Sequence, residues 1–297
     1  MIQYPVILFI KSDKISTTID WILTEKCNLN CYYCLQNADT RFAKCTSVDS
    51  TFIKRIQDNT YLFHLTGGEP FLVPNLIELI NDIQSQGHYV SMNTNLTFPT
   101  HNFAKSVHKE RFLFINASYH YFYRKKNITP FVKHYMDIRK KGIFIYATIV
   151  MIPQIFDELL MVADMLISEG VFVLPKLMRG RTDGKNYPQN YDAQQLKKML
   201  DLLEKSKRIL SKEETELFAQ VCKHNVSIDD WQIGSHSIGS RCFDGENYVR
   251  ITENGDVIYC NDISIGNVYD DNFHFRHDKS KINCPYKTVN NLCKMNY

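Results

Sequence analysis

Apolar runs and amphipathic stretches alternate along the chain up to about residue 178. Six short apolar runs predict strands at residues 19–24, 61–66, 89–93, 112–118, 143–150 and 171–174. Helical spacing lies between them and is clearest where Leu76, Ile80 and Ile83 share one face before Gly87. Strands that alternate with helices predict an α/β fold with a parallel sheet and right-handed crossovers. Six such units are too few to close an eight-stranded barrel, so the pattern predicts an open sheet.

The pattern changes after the sixth predicted strand. A polar loop carrying Arg179 and Arg181 leads into two predicted helices, the second opened by a capping box formed by Ser211 and Glu214. Further on, two short strands flank residues 253–256, which is a hairpin signal. We therefore divide the chain into an α/β part at residues 1–180, a helical linker at 181–235 and a small C-terminal unit at 236–297.

Composition excludes several classes of protein. The 297 residues are 44% hydrophobic and 23% charged, as expected of a globular protein. A net charge of +3 is too small to indicate a nucleic-acid partner. No apolar run approaches the length of a membrane-spanning helix, and the N-terminus lacks the features of an export signal. We therefore expect a cytoplasmic protein in which the grouped members of the nine cysteines act as metal ligands rather than disulfides.

The densest chemistry lies in CNLNCYYC, where Cys27, Cys31 and Cys34 follow the first predicted strand of the sheet. Three thiolates at this spacing can bind three irons of a 4Fe–4S cube and leave the fourth iron open for catalysis. A zinc staple is the alternative interpretation. It requires a fourth ligand, and the nearest histidine is His64.

This C-x3-C-x2-C motif, with Tyr33 before its last cysteine, resembles the radical S-adenosylmethionine (SAM) enzymes. The resemblance continues in LTGGEP, where Gly67, Gly68 and Glu69 follow the second predicted strand of the sheet. It implies a partial (β/α)6 TIM-like barrel in which this stretch holds the amino group of the SAM methionine. Paired glycines allow close approach of the backbone, and a carboxylate can accept a charge-assisted hydrogen bond from an ammonium.

Other strand ends supply further candidates, because ligands gather at the carboxyl ends of parallel strands. Thr94 and Asn95 resemble the family's Thr-Asn turn near the cofactor, and Ser118 occupies a position that often helps to hold the methionine carboxylate or the ribose. Polar residues that merely cap or turn the chain are the alternative. His120 follows in an aromatic stretch and can face the substrate or simply pack.

The C-terminal unit holds four more cysteines: Cys242, Cys260, Cys284 and Cys293. Their arrangement resembles the SPASM and shorter twitch extensions of radical SAM enzymes, although Lys287 stands where the SPASM pattern has its next cysteine. The resemblance implies one auxiliary 4Fe–4S cluster, and a zinc staple is the alternative.

Cys45 and Cys222 remain unassigned. We expect both to act as small buried hydrophobes. The alternative is that one of them, with Cys222 as the candidate, donates a hydrogen atom to a substrate radical.

The resemblance implies an enzyme that reductively cleaves SAM to a 5′-deoxyadenosyl radical, which abstracts a hydrogen from the substrate. An external one-electron reductant of the flavodoxin or ferredoxin type would supply the electron. We expect a peptide or protein substrate that is epimerised, crosslinked or oxidised. The alternatives are a small molecule, such as a sugar or an aminocyclitol, and a metal-stapled binding module without catalysis.

Overall fold

A computed structural model describes residues 3–6, 15–34, 45–57, 59–221, 224–227, 248–259 and 263–275. Its strands are β1 (Gln3–Val6), β2 (Thr17–Thr24), β3 (Tyr61–Gly67), β4 (Tyr89–Thr94), β5 (Phe112–Ser118), β6 (Ile145–Met151), β7 (Val173–Leu177), β8 (Gly180–Thr182), β9 (Lys185–Tyr187), β10 (His224–Ser227), β11 (Tyr248–Ile251), β12 (Asp256–Tyr259) and β13 (Ile263–Asn267). Its helices are α1 (Leu76–Ser85), α2 (His101–Ser106), α3 (Tyr121–Arg124), α4 (Thr129–Lys140), α5 (Phe156–Ser168), α6 (Ala193–Lys207) and α7 (Lys212–Val221).

The main sheet has nine strands in the order β13-β12-β11-β2-β3-β4-β5-β6-β7. Strands β2 to β7 are the six predicted from the sequence, and each pairs in parallel with the next. The sheet is not closed, since β7 and β13 lie at its two edges. The prediction of an open α/β fold of the partial TIM-barrel kind is therefore confirmed.

The C-terminal hairpin is also confirmed, and it continues the barrel sheet. Strand β11 pairs in parallel with β2, and β12 pairs in antiparallel register with β11 and β13. Arg250 on β11 donates to Asp20 on β2 at 3.1 Å, and Tyr248 donates to the same carboxylate oxygen at 2.7 Å. The hairpin is thus fixed to the first barrel strand by both backbone pairing and a buried acid.

The helices cover one face of the barrel strands, and the side chains on that face are apolar. Ile19, Phe63 and Ile115 point to this face and join the main core. Apolar stripes of α1, α4 and α5 pack on them through side chains such as Ile80 and Leu159. The other face alternates with it, as the two-residue period of strands requires, and carries polar groups.

The two helices predicted after the sixth barrel strand are present as α6 and α7. A capping box opens α7: Glu214 accepts from the Ser211 N–H at 2.8 Å, and Ser211 Oγ accepts from the Glu214 N–H at 3.1 Å. Leu203 and Phe218 from these helices pack into a second apolar cluster at the amino ends of β5 to β7. That end of the polar face is therefore sealed, and its accessible end is the carboxyl end.

Among the helices that the structure describes, none combines the length and the apolar character needed to cross a bilayer.

Candidate functional site

The cysteine loop leaves the carboxyl end of β2. Cys27 and Cys31 are half-buried and Cys34 is exposed. A turn connects the last two cysteines, with the Cys34 N–H donating to the Cys31 carbonyl at 3.0 Å. Within the described ranges, no three His, Cys, Asp or Glu side chains converge as a preformed metal site. The cluster assignment of these cysteines therefore stays a prediction.

The surroundings of the cysteines suit sulfur ligands of a cluster. Cys27 Sγ accepts from the Leu29 N–H at 3.4 Å and from Asn95 Nδ2 at 3.9 Å. Burial raises the pKa of the Cys27 thiol, and the Leu29 hydrogen bond opposes that rise. Donors to sulfur stabilise the thiolate form and tune iron–sulfur potentials. The donor set therefore fits a cluster bound through thiolates.

His120 contacts the same loop. Its Nδ1 lies 3.2 Å from Cys31 Sγ and 2.9 Å from the Tyr33 hydroxyl, and its ring stacks on that of Tyr33 with centroids 6.1 Å apart. Burial lowers the pKa of His120 to about 4, so the ring is neutral near pH 7. The structure thus places His120 beside a predicted cluster ligand.

The two glycines of the GGE stretch pack against the backbone that leads into the cysteine loop. The Gly68 N–H donates to the Thr24 carbonyl at 2.7 Å, and the Glu69 N–H donates to the Lys26 carbonyl at 2.8 Å. A Cβ on Gly68 would overlap the Lys26 carbonyl, and one on Gly67 would overlap the Thr24 carbonyl. Both glycines are therefore required by the close approach of two protein segments, and their predicted approach to SAM stays a prediction.

The Glu69 side chain is fully buried. Its Oε1 accepts from the Thr94 hydroxyl at 2.7 Å and from the Phe71 N–H at 3.2 Å, and its Oε2 accepts from the Asn95 N–H at 2.6 Å. Burial raises the pKa of Glu69 to about 7, and the donors oppose that rise. Glu69 therefore clamps the ends of β3 and β4 together. Whether it also accepts from the SAM amine stays a prediction.

Asn95 links this clamp to the cysteine loop. Besides its contact with Cys27, its side-chain amide donates to Asn28 Oδ1 at 2.7 Å. Arg124 donates to the carbonyls of Asn95 and Leu96 at 3.0 Å each and so fixes this turn. The predicted residues Thr94, Asn95 and Glu69 thus lie together next to the loop that carries the three cysteines.

A row of hydrogen-bonded polar side chains crosses the helix-free face of the sheet. Asn93 on β4 contacts His64 Nε2 at 2.9 Å and accepts from Asn116 on β5 at 2.9 Å. Thr148 on β6 donates to Asn116 Oδ1 at 2.9 Å, and Ser118 lies 3.3 Å from the Thr148 hydroxyl. Ser118 therefore belongs to this row. The row lies on the polar face of the sheet, next to its accessible carboxyl end.

Several residues of this site were not identified from the sequence: Asp20, Asn93, Asn116, Thr148, Lys176 and Arg250. A polar residue inside an otherwise apolar strand was the available signal, since such a residue on a half-barrel strand faces either solvent or a ligand chamber. Cys222, Cys242, Cys260, Cys284 and Cys293 lie outside the described residues. Cys45 is half-buried and packs against the main core.

Comparisons with known proteins agree with this architecture. Residues 21–166 match the family model of the Radical SAM superfamily, and no curated protein matches the chain in sequence. The fold resembles that of Streptococcus suis SuiB with a TM-score of 0.56 at 14% identity, over 87% of this chain and 64% of SuiB. For SuiB bound to its precursor peptide SuiA, the TM-score is 0.55 at 17% identity, over 87% of this chain and 64% of that one. For native anSMEcpe with bound AdoMet and the Kp18Cys peptide, it is 0.56 at 16% identity, over 86% and 78%.

The structure is an open parallel half-barrel with three thiols on the loop after β2, which is the arrangement expected of a radical SAM enzyme. Together with the family match, this arrangement identifies residues 21–166 as a radical SAM superfamily domain. Membership implies a 4Fe–4S cluster and SAM as cofactors. The chain spans 64% of the length of SuiB, and at these identities the structural likeness shows the fold alone.

Gly68→Ala tests the contact between the GGE stretch and the cysteine loop. The added methyl displaces the Lys26 carbonyl, so we expect a loss of ~3 kcal/mol or more in the free energy of unfolding, measured by chemical denaturation. The control is Gly87→Ala, where the φ of 91° is unfavourable but no atom lies within 4 Å of the new Cβ. It should cost only ~1–2 kcal/mol. Equal losses in the two variants would contradict a specific contact at Gly68.

Glu69→Gln tests the clamp. Glutamine keeps the shape but leaves one backbone N–H facing an amide donor, so we expect the metal-free protein to lose ~1–3 kcal/mol of stability.

The same variant tests the raised pKa. Because the folded-state pKa of about 7 lies above the usual 4.5, the native protein keeps a proton that the unfolded chain has already lost. Stability from this group is therefore present at low pH and falls as pH rises from about 4.5 to about 7. The difference in melting temperature between wild type and Glu69→Gln should narrow over that range, and a constant difference would contradict the shift.

Proposed function

We propose that this protein is a radical SAM enzyme that modifies a peptide substrate at the carboxyl end of its half-barrel. The observation that carries the proposal is the position of Cys27, Cys31 and Cys34 at the end of β2, directly beside the clamp at the ends of β3 and β4. A cluster held by these thiols would supply reductive cleavage of SAM, which generates a carbon radical that abstracts hydrogen from the substrate.

The chain's own residues have distinct tasks in this proposal. Leu29 and Asn95 donate to Cys27 Sγ and favour its thiolate form. The strand ends at Gly67, Gly68 and Glu69 provide the edge at which the methionine part of SAM would lie. The polar row that includes Asn93 and Asn116 offers hydrogen-bonding groups to the remainder of SAM or to the substrate.

Two features of the structure, and the likeness to two enzymes determined with peptides, support a peptide as the substrate. Among the described residues, no strand joins the sheet edges β7 and β13, so the space over the polar row, here called the chamber, offers an extended chain a side entrance. Tyr32 and Phe122 are exposed beside the cysteine loop and contact each other with ring centroids 5.7 Å apart; aromatic groups of this kind are common in peptide-binding surfaces. The structural neighbours SuiB and anSMEcpe were each determined with a bound peptide.

We further propose that Cys242, Cys260, Cys284 and Cys293 ligate one auxiliary 4Fe–4S cluster. The support lies in the strands between these cysteines. Hairpin β11–β12 is fixed to β2, and Glu253 at its turn accepts from the Glu25 N–H at 2.8 Å, two residues before Cys27. A second cluster near this hairpin would therefore be tied mechanically to the loop of the first.

Replacement of Cys27, Cys31 and Cys34 by Ala tests the cluster assignments together. We expect the anaerobically reconstituted wild type to hold about eight irons and the triple variant about four. The triple variant should not form 5′-deoxyadenosine from SAM under reducing conditions. Persisting 5′-deoxyadenosine formation would refute the catalytic assignment, and complete loss of iron would refute the auxiliary site.

Calorimetry of SAM binding to Glu69→Gln measures whether the carboxylate also serves the cofactor. If Glu69 accepts from the SAM amine, binding should weaken by ~1.5–3 kcal/mol, the range for hydrogen bonds to charged groups. An unchanged affinity would leave Glu69 with the clamp alone.

A further inference from the structure

Lys176 has an unusual position on β7. Four of the strand's five residues, from Val173 to Leu177, are buried, and only the Lys176 side chain is exposed to solvent. Strand pairing places Lys176 opposite Val150 on β6, two positions beyond the pair formed by Thr148 and Leu174. It therefore lies on the same face as the polar row and nearer the carboxyl end.

The Lys176 ammonium has no acidic partner in the part of the chain that the structure describes. Among the described residues it makes neither a hydrogen bond nor an ion pair. The two buried acids nearest the polar face are already engaged: Asp20 accepts from Tyr248 and Arg250, and Glu69 accepts from three donors. Within the described part of the chain, no free buried acid therefore balances the charge of Lys176 on this face.

The surroundings of Lys176 make this charge unfavourable in the absence of an anion. Burial lowers its pKa, the positive charge of Arg179 lowers it further, and Cys34 opposes the change. Burial also lowers the pKa of Arg179 to about 10. Solvent reaches Lys176, yet protein surrounds it closely enough to desolvate it, as expected of a side chain that projects into a chamber. Two neighbouring, partly desolvated cations are stabilised when an anion lies between them.

Two anions could lie beside Lys176, the carboxylate of SAM and a carboxylate of the substrate, and the position of Lys176 in the sheet favours the second. The residues predicted to bind SAM lie at the ends of β3, β4 and β5, with Ser118 on the strand nearest to β7, and β7 lies two strands beyond β5. At about 4.8 Å per strand, that is roughly 10 Å along the sheet. Lys176 lies on the polar face near the carboxyl end of β7, so a group held there lies at the same end of the sheet as the cysteine loop, which leaves the carboxyl end of β2.

We propose that Lys176, with Arg179 beside it, binds a carboxylate of the substrate, so that the enzyme acts on a peptide bearing an acidic side chain or a free carboxyl terminus near the reacting carbon. This inference rests on the proposed function, because it assigns the substrate class of that same chamber. A guanidinium and an ammonium are suited to hold a carboxylate through charge-assisted hydrogen bonds.

The test compares two probes that differ only in charge, N-acetylglutamate α-amide and N-acetylglutamine α-amide. Each is titrated by calorimetry into the reconstituted, SAM-loaded protein. We expect the wild type to bind the carboxylate probe about tenfold or more tightly than the amide probe. Lys176→Gln should abolish that preference, and Lys176→Arg should retain it. Lys197→Gln, which removes an exposed charge from α6, should also retain it.

Each contrary result has a defined meaning. Equal binding of the two probes by the wild type, absence of saturable binding, or a preference that survives Lys176→Gln would overturn the inference. A loss of SAM affinity of about tenfold or more in Lys176→Gln would also overturn it, since the cation would then serve the cofactor. The melting temperature of Lys176→Gln should not fall, because the variant removes an unpaired charge, and a marked fall would assign Lys176 a structural role.

These outcomes separate the inference from the proposed function. If the wild type binds a cluster and SAM but does not discriminate between the probes, only the role of Lys176 fails. If the wild type binds neither a cluster nor SAM, the proposed function itself fails.

Discussion

The candidate site depends on the close packing of two backbone segments, residues 24–26 before the cysteine loop and residues 67–69 at the end of β3. Their hydrogen bonds hold the start of the loop against the sheet, and only glycine at positions 67 and 68 allows the segments to come so close. The Glu69 carboxylate then joins this edge to the end of β4. The loop of the three cysteines therefore has a fixed base, even though its far end at Cys34 is exposed.

The two faces of the sheet have different roles. The helix-covered face contributes stability, and the polar face carries the groups of the candidate site. The helix-covered face buries most of the apolar side chains of the barrel strands, and this burial supplies the main driving force for folding. The opposite face carries few apolar groups except at its sealed amino end. Its polar groups bond mainly to one another, from His64 to Thr148. Such a face can change its polar side chains with little effect on the core, which suits a surface that determines what the enzyme binds.

The C-terminal strands β11 to β13 and the residues after them contact the rest of the protein at three points. Arg250 and Tyr248 engage Asp20 inside the barrel, and Glu253 reaches the backbone at Glu25. Arg55 donates to the carbonyls of Val268 and Asp270 beyond β13. A change in the hairpin is therefore transmitted to β2 and to the base of the cysteine loop. This coupling gives the proposed auxiliary cluster a physical route to influence the first cluster without direct contact.

The sequence by itself determined the order of the six barrel strands, the open parallel sheet, the capping box at Ser211 and the turn of the C-terminal hairpin. These features follow from local periodicity and from the backbone preferences of nearby residues. It also determined the cysteine triplet and the GGE stretch, since their spacing is local. The positions of Thr94, Asn95 and Ser118 near the chamber were predictable because the carboxyl ends of parallel strands meet at one edge.

Only the tertiary structure decided what these residues contact. Glu69 finds two of its donors at the end of β4, some 25 residues further along the chain, and the glycines pack against residues 24–26. The pairing of β11 with β2 joins segments 230 residues apart. Lys176 could likewise be identified only from the tertiary structure. Its sequence neighbours form no motif, and its proposed role depends on the fact that the buried acids Asp20 and Glu69 are bonded to other groups. Contacts between distant segments depend on register and packing, and no local pattern in the chain encodes them.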